Sequence, residues 1–489
     1  MNSSSGQPFS DESGSVYVLA NGEIYNHKKL EEYENIKCQS LSDCEVILHL
    51  YKKYGIKGTI ERLDGEFAFA IIDVSAGLIH VGRDHVGVRS LYYFHKPGEF
   101  AVASELKSIP VPEVDQFPNA CYGTFNMNTS TWTISRYSTF FDNLEIRDDR
   151  PLDSVCSSIR NLLEDAVIKR LMCDRKTGDN LPAIGAFLSG GFDSSIIASL
   201  AMKHVKIHTF SIGFDGAPDL IAAKTVADHI GSIHHEYIVT REYMVSLLPE
   251  VIKQIESYDI TTVRASTFMY ALSKWIKEKF PEIVVLLSGE GPDEASGSYM
   301  YFYNAPNDDL FQEETIRLLE DLRYFDCLRG DKSTAGNSLE IRVPFLDKDF
   351  LAYYMTIPPR LKLKNDDSPM EKWILRESFT NSGLLPESII WRAKEAMSDG
   401  VSQHGDSWFQ IIQRNLNIRR TIGSHPHTSE IKVGGLDIER QFYRDTFLKY
   451  YPDCSHILPY YWLPRWSYDK DGRPVQDPSA RCLSVYRTS

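Results

Sequence analysis

The sequence lacks a long apolar run, an extended basic stretch and a targeting segment, and each absence excludes a class of protein. No apolar run approaches the ~18 residues that a membrane span needs, so we expect no membrane partner. The net charge of −14 and the absence of a basic patch argue against a nucleic-acid partner. Residues 1–16 contain no basic segment followed by an apolar core and therefore predict no secretory signal.

Cysteine is present but not in any motif. The eight cysteines include no C-x-x-C pair, and no histidine cluster has zinc-ligand spacing, so we do not expect a structural zinc site. Scattered cysteines fit reduced thiols better than a disulfide framework, which predicts a cytoplasmic protein. The hydrophobic fraction of 42% is ordinary for a soluble globular protein. A chain of 489 residues has room for about two to four domains.

The first part of the chain is predicted to be rich in β-structure. Apolar residues on one face predict a helix from about Asp43 to Tyr51. Residues 110–150 are predicted to be irregular, with the domain boundary near 143–150. The predicted strands, of which the second and third form a hairpin, are Val16–Ala20, Phe67–Ile72, Leu78–Gly82, Ser90–Phe94 and Phe100–Ala103.

From residue 151 onward helical and strand patterns alternate, which predicts a parallel sheet covered by helices. Helices are predicted from Ile196 to Val205 and from Asp219 to Ile230. Asp219 is expected to cap the second helix, and Gly231 to end it. The predicted strands are Ile184–Leu188, Ile207–Gly213 and Ile283–Leu287.

The most informative stretch is S-G-G-F-D-S-S at residues 189–195, between a predicted strand and a predicted helix. Its glycines let backbone N–H groups approach an anion, and the helix N-terminus adds donors and a partial positive charge. Asp193 offers a carboxylate for a Mg²⁺ ion that bridges phosphate oxygens. The stretch is neither a P-loop nor a dinucleotide motif, and it resembles the pyrophosphate loop of ATP pyrophosphatases. An ordinary Gly-Ser turn is the alternative.

A second strand also ends in Ser-Gly, in the sequence S-G-E-G-P-D-E at residues 288–294. Ligands of open α/β sheets bind beyond the carboxyl ends of the strands, so we expect the two loops to face the same crevice. The second loop carries three carboxylates, for which a solvated acidic turn is the alternative. Together the loops predict a site for a magnesium nucleotide.

Further segments, in their order and spacing, resemble asparagine synthetases of the glutamine-hydrolysing kind, from about Gly14 to near the C-terminus. The matching segments are NGEIYNHKKL, LDGEFAFAIID, GRDHVGVRSLYY, SELKSI, FLSGGFDSS, YDITTVRAS, LSGEGPDEASGSYMYF, LEIRVPFLD and WRAKEAMSDGVS.

The resemblance implies an α/β protein of two domains. Residues 1–145 would form a truncated glutamine amidotransferase domain, an Ntn-hydrolase-like antiparallel two-sheet sandwich. Residues 146–489 would form an ATP pyrophosphatase-type α/β domain with a parallel sheet and many helices.

The resemblance also implies a reaction. Aspartate would be converted to asparagine through β-aspartyl-AMP, with release of AMP and pyrophosphate. ATP and Mg²⁺ are the expected cofactors, and aspartate, ammonia and glutamine the expected small-molecule partners. The family often forms homodimers, although no segment here identifies an interface.

The synthetase site can be assigned residue by residue. Asp193 and Asp293 are the expected Mg²⁺ ligands. Glu290 matches a family position important for the acyl-adenylate, where it would orient aspartate and take a proton from the attacking ammonia. The expected ATP and pyrophosphate positions are Leu188, Ser189, Gly190, Gly191, Asp193, Ser194, Ser195, Ile212, Ser288 and Gly289.

Other assignments keep two interpretations. Lys372 resembles a family lysine near the phosphates, or it is a solvated helix lysine. Arg264 holds the substrate carboxylate, or it makes a structural ion pair. Lys394 and Asp399 order the ATP side of the site, or they belong to a plain loop.

Three features depart from the family pattern: Phe192 where an aliphatic residue is usual, Pro292 where serine is usual, and the stretch at 295–298. Phe192 is expected to affect only the packing behind the loop, whereas Pro292 removes a hydrogen-bond donor.

The largest departure concerns glutamine hydrolysis. Family members begin Met-Cys, and that cysteine attacks the glutamine amide; position 2 here is Asn2. The expected remnants of the glutamine pocket are Asn21, Gly22, Glu23 and Asp43. We therefore expect ammonia to supply the nitrogen. The alternatives are an inactive pseudoenzyme and a different carboxylate-adenylating enzyme resembling β-lactam synthetase.

Overall fold

The computed structural model describes residues 6–137, 139, 141–142, 144–364, 370–393, 400–402, 407–423, 435–468, 471–476 and 478. The chain divides into two compact units. The first comprises Met1–Leu144 with Glu320–Leu328, and the second comprises Glu145–Leu319 with Arg329–Ser489.

The first unit contains two antiparallel sheets. A six-stranded sheet has the order β1-β2-β3-β4-β8-β9, and a three-stranded sheet has the order β6-β5-β7. The strands are β1 Phe9–Ser10, β2 Val16–Ile24, β3 Gly65–Asp73, β4 Leu78–Arg83, β5 Tyr92–Lys96, β6 Glu99–Ala103, β7 Asp115–Gln116, β8 Cys121–Asn126 and β9 Thr131–Arg136. Its helices are α1 His27–Glu34 and α2 Val46–Ile60, and 3₁₀ turns cover Asp43–Glu45, Leu106–Ser108 and Leu322–Tyr324.

Alternation along the strands builds two apolar layers in this unit. Val18 and Ile71, opposite each other on β2 and β3, pack in one buried cluster with Val46 of α2. Val81 of β4 belongs to a second cluster with Phe117, which adjoins the smaller sheet. The predicted two-sheet antiparallel architecture is therefore confirmed.

The structure corrects three local predictions in this unit. Residues 110–150 are not irregular throughout, because β8 and β9 form an antiparallel hairpin. Cys121, Gly123 and Phe125 alternate inward along β8, a period of two that the preceding prolines obscured. The helix predicted from Asp43 begins as a 3₁₀ turn and continues to Ile60 across a break at Gly55. The short helix α1 was not predicted.

The second unit is built on a five-stranded parallel sheet of order β12-β11-β10-β13-β14, which confirms the predicted parallel sheet. The strands are β10 Ile184–Phe187, β11 His208–Gly213, β12 Ile233–Ile238, β13 Val285–Leu287 and β14 Glu340–Arg342, followed by the antiparallel pair β15 Leu363–Lys364 and β16 Met370–Glu371. Phe210 and Leu286 pack with Leu272 and Ile276 in a cluster between the sheet and a helix.

Helices surround this sheet along the remaining chain. They are α3 Leu152–Lys169, α4 Phe192–Met202, α5 Pro218–Ile230, α6 Arg241–Ile255, α7 Ile260–Lys279, α8 Pro292–Ser296, α9 Asp308–Asp321, α10 Asp326–Ala335, α11 Lys348–Tyr354, α12 Pro359–Lys362, α13 Trp373–Glu377, α14 Glu387–Ile390, α15 Trp408–Gly423 and α16 Gly435–Tyr450. Short 3₁₀ turns cover Met300–Asn304, Pro344–Leu346 and Ser455–Ile457. In the described part of the chain, no helix has the length and hydropathy needed to span a bilayer.

Two helix starts differ from the sequence prediction. Helix α4 begins at Phe192, four residues before the predicted Ile196, because the turn needs only Gly190 and Gly191. Helix α5 is not capped by Asp219; Ala217 is the N-cap residue and Pro218 occupies the first turn, where its missing N–H costs nothing. The predicted left-handed Gly231 at the end of α5 is confirmed, with φ of 69°.

Candidate functional site

The loop after β10 is a tight turn that a side chain at its second position would block. Gly190 has φ of +73°, and a Cβ there would lie 2.4 Å from the backbone nitrogen of Ala223. The hydroxyl of Ser194 accepts the backbone N–H of Ser189 at 3.1 Å, which folds the loop onto the first turn of α4. The buried hydroxyl of Ser195 has no hydrogen-bond partner among the described residues.

The loop after β13 has the same plan: a strand, a small-residue turn and a helix. Gly291 has φ of +103°, and the short helix α8 begins at Pro292. The hydroxyl of Ser298 donates to Asp293, and the hydroxyl of Tyr299 donates to Glu294. Two of the three carboxylates of this loop are thus held by neighbouring hydroxyls, which a freely solvated acidic turn would not require.

The two loops lie against each other, as the sequence predicted. Strands β10 and β13 are adjacent and parallel, so their carboxyl ends share one edge of the sheet. A Cβ on Gly289 would lie 2.6 Å from the backbone nitrogen of Ser194 and 2.8 Å from the carbonyl carbon of Asp193. This backbone approach leaves no room for a side chain at position 289.

Lys372 joins the two loops by charge. Its buried ammonium donates to the carboxylate of Asp193 and lies 2.6 Å from Oδ1 of Asp293. Burial alone would lower the pKa of Lys372, but the two carboxylates outweigh burial and raise the pKa above its usual value. The lysine has a left-handed backbone, with φ of 54°, and is not the solvated helix lysine of the alternative interpretation.

Glu290 has a partner that the sequence analysis missed. Arg329 of α10 donates to Oε2 of Glu290 at 2.7 Å, and both side chains are largely buried. Arg329 stands in the segment DCLRGDK, which carries no motif that a single sequence can identify.

Arg264 is engaged elsewhere in the second unit. Its guanidinium binds the carboxylate of Glu439 in two bonds, of 2.8 Å from Nε and 2.6 Å from Nη2. Glu439 is fully buried and also accepts from Tyr443. The structure therefore displays the structural ion pair, the second of the two interpretations of Arg264.

The residues expected near adenosine lie at the ends of neighbouring strands. Leu188 is buried and its N–H donates to the carbonyl of Phe210 at 2.8 Å, while Ser288 donates to the carbonyl of Arg342 at 2.9 Å. Ile212 of β11 is partly buried against the cluster around Phe210. Lys394 and Asp399 lie outside the described residues.

The departures from the family pattern are accommodated locally. Phe192 is buried, with its ring 6.2 Å from that of Phe379 and the guanidinium of Arg376 5.4 Å away, so its bulk packs behind the loop. Pro292 occupies the first turn of α8, where an N–H is not used by the helix. The hydroxyl of Ser298, in the divergent stretch, contacts Asp293.

The expected glutamine-pocket residues belong to the first unit. Gly22 has φ of +130°, and a Cβ there would lie 1.9 Å from the carbonyl oxygen of Glu66 on β3. The carboxylate of Asp43 accepts the N–H of Ile24, at the end of the strand that carries Asn21, Gly22 and Glu23. The amide of Asn21 donates to the hydroxyl of Ser104 at 3.1 Å. The four residues are therefore brought to one end of β2.

Comparisons with known proteins match two families and several solved structures. A glutamine amidotransferase domain family matches residues 1–111, and the asparagine synthase family matches residues 158–311 and 304–468. A solved structure of NMN synthetase from Francisella tularensis aligns over 65% of this chain and 100% of its own, with 12% identity and a TM-score of 0.28.

Curated relatives match almost the whole chain. The glutamine-hydrolysing asparagine synthetase of Bos taurus is 39% identical, over 97% of this chain and 87% of the bovine protein. The Homo sapiens enzyme of the same name is 38% identical over the same shares. The chain therefore belongs to the family of glutamine-hydrolysing asparagine synthetases.

Proposed function

We propose that this chain converts aspartate to asparagine with ATP as co-substrate, through β-aspartyl-AMP. The observation that carries the proposal is the convergence of Asp193 and Asp293, from two adjacent strand ends, on the ammonium of Lys372. A carboxylate is a poor electrophile because its leaving group is poor, and adenylation replaces that group with AMP. Pyrophosphate leaves with a high negative charge, so the site must aim donors and cations at it.

The loop at 189–195 supplies neutral donors for that charge. Gly191, which is only partly buried, has no Cβ to shield its backbone, and the N-terminus of α4 contributes unpaired N–H groups. The buried, unsatisfied hydroxyl of Ser195 provides one more donor. Ser189 and Ser194, whose hydroxyls lie 3.0 Å apart, complete the proposed cradle.

The charged residues fit Mg²⁺. Two carboxylates that already share one cation are suitable ligands for a hard divalent ion, and we propose Asp193 and Asp293 for that role. When bound, Mg²⁺ would supply charge stabilisation to the phosphate oxygens. Lys372 would then direct its ammonium at the same oxygens, since its flexible side chain carries three donors.

Glu290 is the proposed group for aspartate and ammonia. Arg329 holds its carboxylate in position at 2.7 Å. We assign Glu290 to orient aspartate and to accept the proton that ammonia must lose. Leu188, Ile212, Ser288 and Gly289 are the proposed adenosine positions.

We propose ammonia as the nitrogen source, because ammonia can attack the acyl-adenylate directly and displace AMP. The grouping of Asn21, Gly22, Glu23 and Asp43 supports retention of glutamine binding. The seven cysteines that the structure describes are free thiols, which supports a reducing compartment such as the cytoplasm.

Aspartate-dependent exchange of labelled pyrophosphate into ATP tests the adenylation step. We expect exchange with aspartate and Mg²⁺, and loss of exchange in Asp193→Asn. Exchange that requires a carboxylate other than aspartate would favour the β-lactam synthetase-like alternative, and no exchange with any carboxylate would favour the pseudoenzyme. In a second assay, [amide-¹⁵N]glutamine and ¹⁵N-ammonium are offered separately; label passing from glutamine to asparagine would refute ammonia as the source.

A further inference from the structure

Three metal-ligating side chains meet in the first unit, whereas the residues assigned above to ATP belong to the second. The thiol of Cys38, the carboxylate of Glu45 and the imidazole of His49 place one ligand atom each within 4.8 Å of one another. Cys38 and Glu45 lie between α1 and α2, and His49 lies in the first turn of α2. Sequence analysis predicted no zinc site, because the spacing C-x₆-E-x₃-H belongs to none of the usual patterns.

The distance between two of these atoms is that of ligands on one metal. Nε2 of His49 and Oε1 of Glu45 form a hydrogen bond of 3.4 Å, which is longer than a typical N–H···O bond. Two ligands that each lie about 2.0–2.1 Å from a tetrahedral metal stand about 3.3–3.4 Å apart. Glu45 and His49 are four residues apart at the start of α2, and the first helical turns hold them on one face.

The carboxylate of Glu45 is already oriented. It is buried, and it accepts the N–H of Gln39 at 2.7 Å on Oε1 and the N–H of Ser40 at 2.6 Å on Oε2. An ionised carboxylate has about four acceptor positions, so both oxygens keep capacity for a cation. Bonds of this kind orient metal ligands in known sites. The same bonds fold residues 38–40 back over Glu45, and this places Cys38 beside it.

The surroundings of Cys38 favour a cation. The carboxylate of Glu45 lies within 4.8 Å of the Cys38 sulfur, so a negative charge stands beside the thiol. The side chain of His49 is 30% exposed, which gives an ion a route from solvent.

We propose that Cys38, Glu45 and His49 bind one Zn²⁺ ion. A thiolate, an imidazole and a carboxylate together form a donor set that zinc prefers, and water would complete the tetrahedron. On binding, the S–H bond of Cys38 breaks, its proton passes to solvent and a sulfur–zinc bond forms. The ion would fix the segment that also carries Asp43.

Cobalt(II) reports directly on the proposed thiolate. The full chain is stripped with a chelator, dialysed and titrated with Co²⁺, and a sulfur-to-cobalt charge-transfer band is followed in the near ultraviolet. We expect one Co²⁺ per chain, displaced by one Zn²⁺. Cys38→Ser should abolish the band, and His49→Ala should weaken Zn²⁺ binding by at least about tenfold, since the loss of even an outer partner costs about 10–100-fold.

Matched variants control for other thiols and imidazoles. Cys173→Ser removes a comparably accessible cysteine, and His204→Ala removes a histidine that contacts Glu164 at 2.9 Å with no role in the proposed site. Both should retain the band and the affinity. If the parent chain shows no band, or Cys38→Ser keeps it, the proposal is wrong. If Cys38→Ser fails to fold by circular dichroism, unchanged Zn²⁺ affinity in His49→Ala would still overturn it.

Discussion

Replacing Lys372 with methionine removes the ammonium that contacts both Asp193 and Asp293. Methionine has a similar volume and leaves the backbone unchanged, so the variant isolates the charge. Breaking a buried ion pair costs about 3–5 kcal/mol. Here the lysine side chain is 2% exposed, but the carboxylates are 22% and 24% exposed, so we expect a loss of about 2–4 kcal/mol.

Two assays test this expected loss of stability and its consequence for activity. By thermal unfolding, Lys372→Met should melt about 3–8 °C below the parent chain. Added Mg²⁺ should raise the melting temperature of the variant more than that of the parent, because a divalent cation can then take the position between the carboxylates. Exchange of pyrophosphate into ATP should fall by at least about 100-fold, since a cation aimed at the leaving group is lost.

A lysine of another kind provides the control. Lys274 lies 3.0 Å from Glu250 in a partly exposed pair, so Lys274→Met should change stability by no more than about 1 kcal/mol and leave exchange intact. The double variant Lys372→Met with Asp193→Asn should be less destabilised than the sum of the single changes, because each removes part of the same interaction. A Lys372→Met chain with the parent's melting temperature and the parent's response to Mg²⁺ would refute the reasoning.

The structure predicts the direction of the effect of three further substitutions. Gly289→Ala should lower the free energy of unfolding by about 1–3 kcal/mol and should also lower pyrophosphate exchange, because its Cβ would meet backbone atoms at the N-terminus of α4. Gly178→Ala, which has open space around its Cβ, is the control and should change neither quantity in the same melting and exchange assays. Burial lowers the pKa of His80 to about 4, so between pH 6.5 and 4 the unfolded chain binds one more proton than the folded chain. Stability should therefore fall as the pH falls through that window. His80→Gln should reduce the slope of melting temperature against pH. Burial also lowers the pKa of Lys362 to about 7, so Lys362→Met should raise the melting temperature at pH 7, with a gain that shrinks towards pH 10.

Each of these has a result that would contradict it. A Gly289→Ala chain as stable and active as Gly178→Ala would mean that the loops can part without cost. A slope that is equal in the parent and in His80→Gln would remove His80 as the titrating group. A Lys362→Met chain that melts below the parent at pH 7 would show that the ammonium is stabilised by its surroundings, which include the ring of Tyr354 at 5.2 Å.

The parts of the site that local sequence predicts are those that depend on the backbone. Gly190 and Gly289 each follow a buried strand, and the edge of a parallel sheet brings such strand ends together. That prediction needs only a buried strand, a turn after it and the start of a helix. It gave the approach of the two loops without any knowledge of the rest of the chain.

The side-chain partners could not be predicted in this way. Lys372 stands 179 residues from Asp193, and only resemblance to a family suggested it. Arg329 and Glu439 are single charges in segments with no motif, and the folding of distant helices decides what they contact. The hairpin of β8 and β9 was missed for a different reason, since the alternation in Cys121–Asn126 is short and follows a proline-rich segment.

Because Gly289 has no side chain, the two loops are in backbone contact, and this affects how a ligand would bind. Because backbone touches backbone there, neither loop can slide past the other without a collision, and the pair is expected to respond to force as one body. The two loops then lose little conformational entropy when a ligand binds, and this lowers the entropic cost of association. A ligand would therefore bind at this edge of the sheet to a preformed site, without closure of the loops around it.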